Sequence, residues 1–236
     1  TLIRRVRLDA ALRAVPCILL TAALEPEAEL RALDSGADAF VRKDEDVALI
    51  LAKLVALLRS ARDVGQRVQT ASLLAHKKIL AVDDSLTYSN ELVRMFDGEG
   101  YEIILAHSGE EAVELLSVQS VDCILLDLIM AGMGGAETCR VIKNSPGLRD
   151  LPVIVLTSVE DRATMLEVMA SGADDYVAKS AEFAVLKARV RAQLRRRQFE
   201  DETRHMREQL LHSQIEAAAA RSARELAETR ALLVEA

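Results

Sequence analysis

The chain repeats itself. Moved against itself by 136 residues, Pro16-Cys-Ile-Leu-Leu-Thr21 falls on Pro152-Val-Ile-Val-Leu-Thr157, Ser35-Gly-Ala-Asp38 on Ser171-Gly-Ala-Asp174, Phe40-Val41 on Tyr176-Val177 and Lys43 on Lys179. Both Thr-to-Lys separations are 22 residues, with no gap. A strand-like run, a helical stretch, a glycine turn and a lysine agreeing in one register mark two copies of one unit, and any fold must accommodate both. The copies differ in completeness. The counterpart of the apolar run at Cys123 would lie before residue 1, so residues 1–59 are expected to hold the last two strands of a domain with their helices, its C-terminal half. Two strands do not close such a core alone. With Thr at position 1, the chain is expected to be a piece of a longer protein.

After a linker at 60–76, residues 77–197 alternate short apolar runs with amphipathic stretches. Runs at 79–82, 102–105, 123–126, 153–156 and 175–178 read as strands. Stretches at 86–96, 109–117, 135–143, 161–170 and 181–197 space apolar residues three and four apart, which predicts helices. The central runs are too rich in Ile, Leu and Val to be half exposed, so they read as parallel strands covered on both faces. Five strands alternating with five helices give an α/β class, a doubly wound (βα)5 parallel sheet.

Residues 198–236 lack Gly and Pro and are rich in Ala, Arg, Glu and Leu, which predicts a helical stalk continuing the last helix. Its apolar stripe is thin: Phe199 and Met206 are seven apart, as are Leu226 and Leu233. A lone helix of this kind buries nothing, so a parallel coiled coil, and hence a homodimer through the C-terminal helix, is expected. A net charge of −7, with three Tyr, four Phe and no Trp, argues against a phosphate-binding or base-stacking surface; no direct nucleic-acid binding is expected. No apolar run approaches the roughly 18 residues of a membrane span, so no membrane insertion is expected. Cys17, Cys123 and Cys139 offer neither a disulfide framework nor a metal-ligand spacing, which suits a reducing, cytoplasmic setting.

Functional groups of a doubly wound sheet gather at the carboxyl ends of its strands. That rule brings Asp83 and Asp84 after the first strand together with Asp127, Thr157 and Lys179. Three converging carboxylates repel one another unless a divalent cation sits among them, and oxygen-only ligation favours Mg2+. A carboxylate flanked by such an ion, a hydroxyl and an ammonium is set up to attack a phosphoryl group and hold its oxygens. Asp127 is the expected nucleophile. Blander roles compete for each residue: Asp84 or Ser85 as a helix cap, Tyr176 as a packing residue, His205 and His212 as solvated helix positions. Arg195-Arg-Arg197, followed by Glu200-Asp-Glu202, is read as pairing along one helix face.

The runs Lys78-Ile-Leu-Ala-Val-Asp-Asp84, Leu125-Leu-Asp-Leu-Ile-Met130, Val155-Leu-Thr157 and Asp175-Tyr-Val-Ala-Lys179 resemble, in order, the motifs of the receiver domain of bacterial two-component response regulators. The resemblance spans residues 77–197, with residues 1–59 as a truncated copy. It implies a flavodoxin-like fold and phosphorylation of Asp127 by a histidine kinase or phosphotransfer protein. It also implies Mg2+ held by Asp83, Asp84, Asp127 and the Ile129 backbone carbonyl, and a switch pair of Thr157 and Tyr176. In the first copy Thr21, Phe40 and Lys43 stand at the positions of Thr157, Tyr176 and Lys179, while their Asp partners would lie before residue 1. Three departures stand out: Ala131 where the family usually has Pro, Gly134 where it has an acidic or polar residue, and Ser180 where it has a cis Pro. Gly132, Gly134 and Gly135 are expected to loosen the loop after Asp127.

The expected function is phosphorelay signalling, in which the second of two tandem receivers takes phosphate on Asp127 and transmits it through the stalk to an output domain. The Arg- and Glu-rich stalk resembles the linkers of hybrid sensor histidine kinases, the expected parent. The alternatives are the regulatory region of a tandem-receiver diguanylate cyclase and an unphosphorylated receiver scaffold for dimerisation. The chain itself carries a phosphoacceptor and no kinase domain.

Overall fold

The computed structural model describes residues 2–9, 12–22, 26–62, 77–159 and 161–234. The first segment forms α1 (Leu2–Leu8), β1 (Ile18–Thr21), α2 (Pro26–Asp34), β2 (Ala39–Arg42) and α3 (Val47–Arg62). Strands β1 and β2 pair in parallel as a two-stranded sheet, with Thr21 opposite Arg42. Ala32, Ala37 and Phe40 form a small core there, joined by Ile3, Leu19 and Ala28. Helix α3 runs past the expected end at 59, and residues 63–76 of the expected linker lie outside the described residues.

Residues from 77 onward form β3 (Lys77–Val82), α4 (Leu86–Phe96), β4 (Tyr101–Ala106), α5 (Gly109–Val118), β5 (Cys123–Asp127), α6 (Gly135–Asn144), β6 (Val153–Thr157), α7 (Arg162–Ala170), β7 (Asp175–Ala178) and α8 (Phe183–Val234). The five strands make one parallel sheet in the order β4-β3-β5-β6-β7, which is the flavodoxin-like α/β fold. Successive strand residues point to opposite faces. Leu80, Val82, Ile124, Leu126, Val153 and Val155 therefore pack against Ala112, Leu116, Cys139 and Ile142 of α5 and α6. Ile79, Ala81, Cys123, Leu125, Ile154 and Leu156 face the other way, onto Leu92 and Phe96 of α4 and Leu186, Val190 and Leu194 of α8. Asp161, expected inside a helix, is instead the N-cap of α7, accepting from Thr164 N at 3.0 Å. Every peptide bond among the described residues is trans, including that between Lys179 and Ser180.

Two compact units result, residues Thr1–Arg197 and Gln198–Ala236. In the second, the described residues continue α8 as helix, with Met206, Leu210, Leu211 and Ile215 exposed. The arginines at 195–197 also reach other elements. Arg195 donates to Ala37 O at 3.0 Å, Arg196 to Leu57 O, and Arg197 to Asp122 O at 2.8 Å, so these cations cap backbone carbonyls of other elements. No helix among the described residues is long and apolar enough to cross a membrane.

The offset of 136 residues reappears in the structure. Helix α2 and strand β2 match α7 and β7 end for end, and α3 starts that distance before α8. Asp174 Oδ2 accepts from Val153 N at 2.8 Å and from Lys143 Nζ at 2.6 Å, and Lys143 also donates to Arg149 O and Leu151 O. In the first segment Asp38 Oδ2 accepts from Cys17 N at 2.7 Å and from Arg7, which also donates to Arg13 O and Val15 O. The repeat thus reaches back to residue 7. Residue identity hides this, because Arg and Lys can each neutralise the buried Asp and tie down the chain before the strand.

Candidate functional site

The parallel register aligns the strand ends. Val82 lies opposite Leu126, Asp127 opposite Leu156, and Thr157 opposite Ala178, so the residues at and after these positions meet at one edge. One carboxylate oxygen from each of Asp83, Asp84 and Asp127 lies within 4.8 Å of the other two. Asp83 and Asp127 are buried, while Asp84 is exposed. Lys179 Nζ bridges the two buried acids, 2.7 Å from Asp83 Oδ2 and 3.0 Å from Asp127 Oδ2. The remaining oxygens are held by backbone: Ser85 N donates to Asp83 at 2.9 Å, Ala131 N to Asp84 at 3.2 Å, and Ile129 N to Asp127 at 3.4 Å. The donor set is three hard oxygens with one carboxylate open to water, which fits a small divalent cation that keeps part of its hydration shell.

Burial, with the neighbouring charge of Asp83, raises the Asp127 pKa above the ordinary carboxylate range despite the opposing Lys179 contacts. Burial works against the Lys179 charge too, but the hydrogen bonds and charges of Asp83 and Asp127 outweigh it, so its pKa rises. Sequence reasoning missed Tyr88. Its ring lies 4.6 Å from Lys179 Nζ, and burial followed by the Asp83 charge pushes its phenol up to about 12. Only the three-and-four spacing of α4 speaks for Tyr88 in the sequence, and nothing local links it to Lys179.

Thr157 stands at the expected edge, but its hydroxyl is engaged by the following loop: Oγ1 donates to Val159 O at 2.9 Å and accepts from Val159 N at 3.0 Å. Tyr176 is half-buried, and Lys53 Nζ lies 4.8 Å from its ring. In the first segment Lys43 N donates to Thr21 O at 2.7 Å, as Lys179 N does to Thr157 O at 2.7 Å. Phe40 is buried and Lys43 exposed. Among the described residues, the acidic group close enough to share a metal ion is Asp83, Asp84 and Asp127, and it does not involve that segment.

Gly132 and Gly135 after Asp127 are required by the backbone geometry, while Gly134 has room for a side chain. Gly132 has φ +75°, and a Cβ on Gly135 would run into the Asp127 carbonyl oxygen. Glu110 Oε1 accepts from Met133 N at 2.9 Å, and Gly135 N donates to Leu128 O at 3.0 Å, so the loop is tied at several points.

Many chemistries use this fold, and the comparisons with known proteins separate them. Residues 79–191 match the family described as response regulator receiver domain. This part of the chain is a response regulator receiver domain. The response regulator MprA of Mycobacterium ulcerans (strain Agy99) is 37% identical over 125 residues, 53% of each chain. The DNA-binding response regulator MtrA of Mycolicibacterium smegmatis is 37% identical over 130 residues, 55% of each chain. The chain spans about half the length of these curated relatives. A solved signal receiver domain of a signal transduction histidine kinase from Syntrophus aciditrophicus is 36% identical, covering 50% of this chain and 89% of that one, with a TM-score of 0.48.

Two expectations change. The exclusion of nucleic acid does not stand, because a similar receiver belongs to a DNA-binding response regulator. An acidic, aromatic-poor composition describes the receiver's own surface and says nothing of contacts made by a separate domain. Nor do the curated relatives named above match the hybrid-kinase parent or the cyclase and scaffold alternatives, since they are response regulators.

Proposed function

We propose that the receiver domain accepts a phosphoryl group on Asp127 from a phosphohistidine donor and passes the change on through α8 to an output domain. The observation that supports this reading is the Lys179 ammonium held between Asp83 and Asp127 at the open edge of the sheet. Asp83, Asp84, Asp127 and the Ile129 carbonyl are the proposed ligands of Mg2+, which when bound supplies positive charge to the transferring group. An oxygen of Asp127 attacks phosphorus as the P–N bond to the donor imidazole breaks, and the imidazole nitrogen leaves with the electron pair. Lys179, whose raised pKa keeps it protonated, exchanges its Asp127 contact for a phosphoryl oxygen. The Thr157 hydroxyl can donate to a second phosphoryl oxygen only by giving up its donation to Val159 O, which loosens the loop after β6. Thr157 and Tyr176 are the proposed switch pair.

Residues 1–62 are proposed to be the C-terminal half of another receiver, a reading the shared offset supports. Likeness to a DNA-binding response regulator supports an output domain that acts on DNA. Incubation with a small-molecule phosphodonor and Mg2+, followed by mapping of the modified residue, tests the central assignment. Label is expected on Asp127 and absent from Asp127→Asn; label persisting in that variant sinks the assignment.

A further inference from the structure

A lysine that changes partners during a reaction needs something to hold it between them. Its ammonium is strongly hydrated and sits on a flexible four-carbon stem, so once freed from a carboxylate it turns readily toward water. Lys179 is such a group. Of its three donors, carboxylates take two: Asp83 Oδ2 lies at 2.7 Å and Asp127 Oδ2 at 3.0 Å. The Tyr88 ring stands beside the same ammonium, with Nζ over the ring and 4.6 Å from its centroid. The negative face of an aromatic ring attracts an ammonium at this distance, and more strongly where water is partly excluded, as it is around the Lys179 side chain, which is 21% exposed.

The ring is itself fixed in place. Tyr88 lies in the first turn of α4, where its N–H donates to the Ser85 hydroxyl cap at 3.4 Å, and Ser85 N donates to Asp83 at 2.9 Å. One short stretch of chain thus carries the acid, the helix cap and the ring. The ring packs against the core that contains Ile79, Leu125, Leu156 and Leu186, and so does Ala181, two residues past Lys179. Burial, followed by the charges of Asp83, Glu91 and Asp127, raises the phenol pKa to about 12, so the side chain is neutral. A fourth carboxylate in its place would hold the ammonium but add to the repulsion among the three converging acids. A neutral ring holds it without that cost. We infer that Tyr88 is a positioning residue for phosphoryl transfer: its ring face keeps the Lys179 ammonium at the site while the contact with Asp127 is exchanged for a phosphoryl oxygen. The inference rests on the reading of Asp127 as the phosphoacceptor. A side chain that only fills space can be replaced by another apolar group of similar bulk, whereas one that attracts an ammonium through its π face can be replaced only by another ring.

Three variants of the full chain test this. Tyr88→Phe keeps the ring, while Tyr88→Leu and Tyr88→Met keep apolar bulk without it. Proton NMR in the absence of Mg2+ and phosphodonor reads the contact itself. The Lys179 ε-methylene, one bond from Nζ, is expected upfield of the ordinary lysine position in the parent and in Tyr88→Phe, and at the ordinary position in the other two. A resonance that stays where the parent has it in Tyr88→Leu would overturn the contact. Labelling of Asp127 by phosphoramidate with Mg2+, over a range of phosphoramidate concentrations, reads the role in transfer. The maximal rate is expected to fall about fivefold in Tyr88→Leu and Tyr88→Met and to be rescued to within about twofold by Tyr88→Phe, with the half-saturating concentration unchanged. Parent-like rates in Tyr88→Leu and Tyr88→Met, or an equal loss in Tyr88→Phe, would overturn the positioning role. Should β5 amide exchange show that Tyr88→Leu has not folded, Tyr88→Met carries the same expectations. A parent chain that takes no label on Asp127 overturns the phosphoacceptor reading and the role of the ring in transfer with it, and the ε-methylene resonance then decides by itself whether the ring holds the ammonium.

Discussion

Replacing Lys179 with Met keeps the side chain's length and deletes the ammonium that lies 2.7 Å from Asp83 and 3.0 Å from Asp127. The carboxylate oxygens left behind are up to 4.8 Å apart. Two unit charges at that distance repel by about 3.5 kcal/mol at an effective dielectric constant of about 20. Asp84 is open to water and the Lys179 side chain is 21% exposed, so solvent takes part of this. A loss of about 2 kcal/mol near pH 8 is expected. The pH dependence follows from Asp127, whose pKa is already raised by burial and rises further without the cation. A carboxyl with a folded pKa above its unfolded value favours the fold at low pH, and that contribution disappears as pH climbs through the folded pKa. The deficit of Lys179→Met is therefore largest in alkali and shrinks in acid, as a proton takes the place of the ammonium. Urea unfolding of parent and variant at alkaline and acidic pH measures it. Equal deficits at the two values, or a loss below about 0.5 kcal/mol near pH 8, would refute the Coulombic account of the site.

Asp84→Ala combined with Asp127→Ala should weaken Mg2+ binding by about tenfold or more in a calorimetric titration, and unchanged affinity would place the ion elsewhere. Gly135→Ala should destabilise by about 3 kcal/mol because its Cβ meets the Asp127 carbonyl; Gly134→Ala, whose Cβ would stand 3.8 Å from Leu128 O, should cost under about 1 kcal/mol. Asp174→Ala, which strips Lys143 of its buried partner, should cost about 3 kcal/mol in thermal unfolding, and a neutral result would remove that ion pair from the core. Burial raises the Cys123 thiol to about 12 and also raises Cys139, so a thiol reagent near pH 8 should modify these two only in denaturant, and the less buried Cys17 first. Fast labelling of native Cys123 would show that the sheet opens locally.

The parts legible in the sequence are those whose signal is local. Strands β5 and β6 can be read because burial on both faces leaves runs of apolar residues bounded by Asp127 and Thr157. Helix starts are weaker. Asp161 has the polarity of an early helical residue, and only its bond to Thr164 N makes it a cap. The cluster of Asp83, Asp84, Asp127 and Lys179 is legible because parallel strands bring their carboxyl ends to one edge whatever their spacing along the chain. The glycine loop is not: glycine signals flexibility or necessity alike, and the φ of Gly132 and the Asp127 carbonyl against Gly135 distinguish them.

The order of the βα units, the internal repeat and the residues that reach the acidic edge of the sheet follow from neighbouring residues alone, because hydrophobic period and position at a strand end are local. Packing is what sets Tyr88 against Lys179, holds the Thr157 hydroxyl with Val159, and buries Arg189 between Asp175 and Glu29. In the linear sequence Arg189 is one more cation on a basic helix, indistinguishable from Arg191 two residues on. What separates them is how much water remains once α2 closes over α8, and desolvation belongs to the packed surfaces rather than to any run of residues.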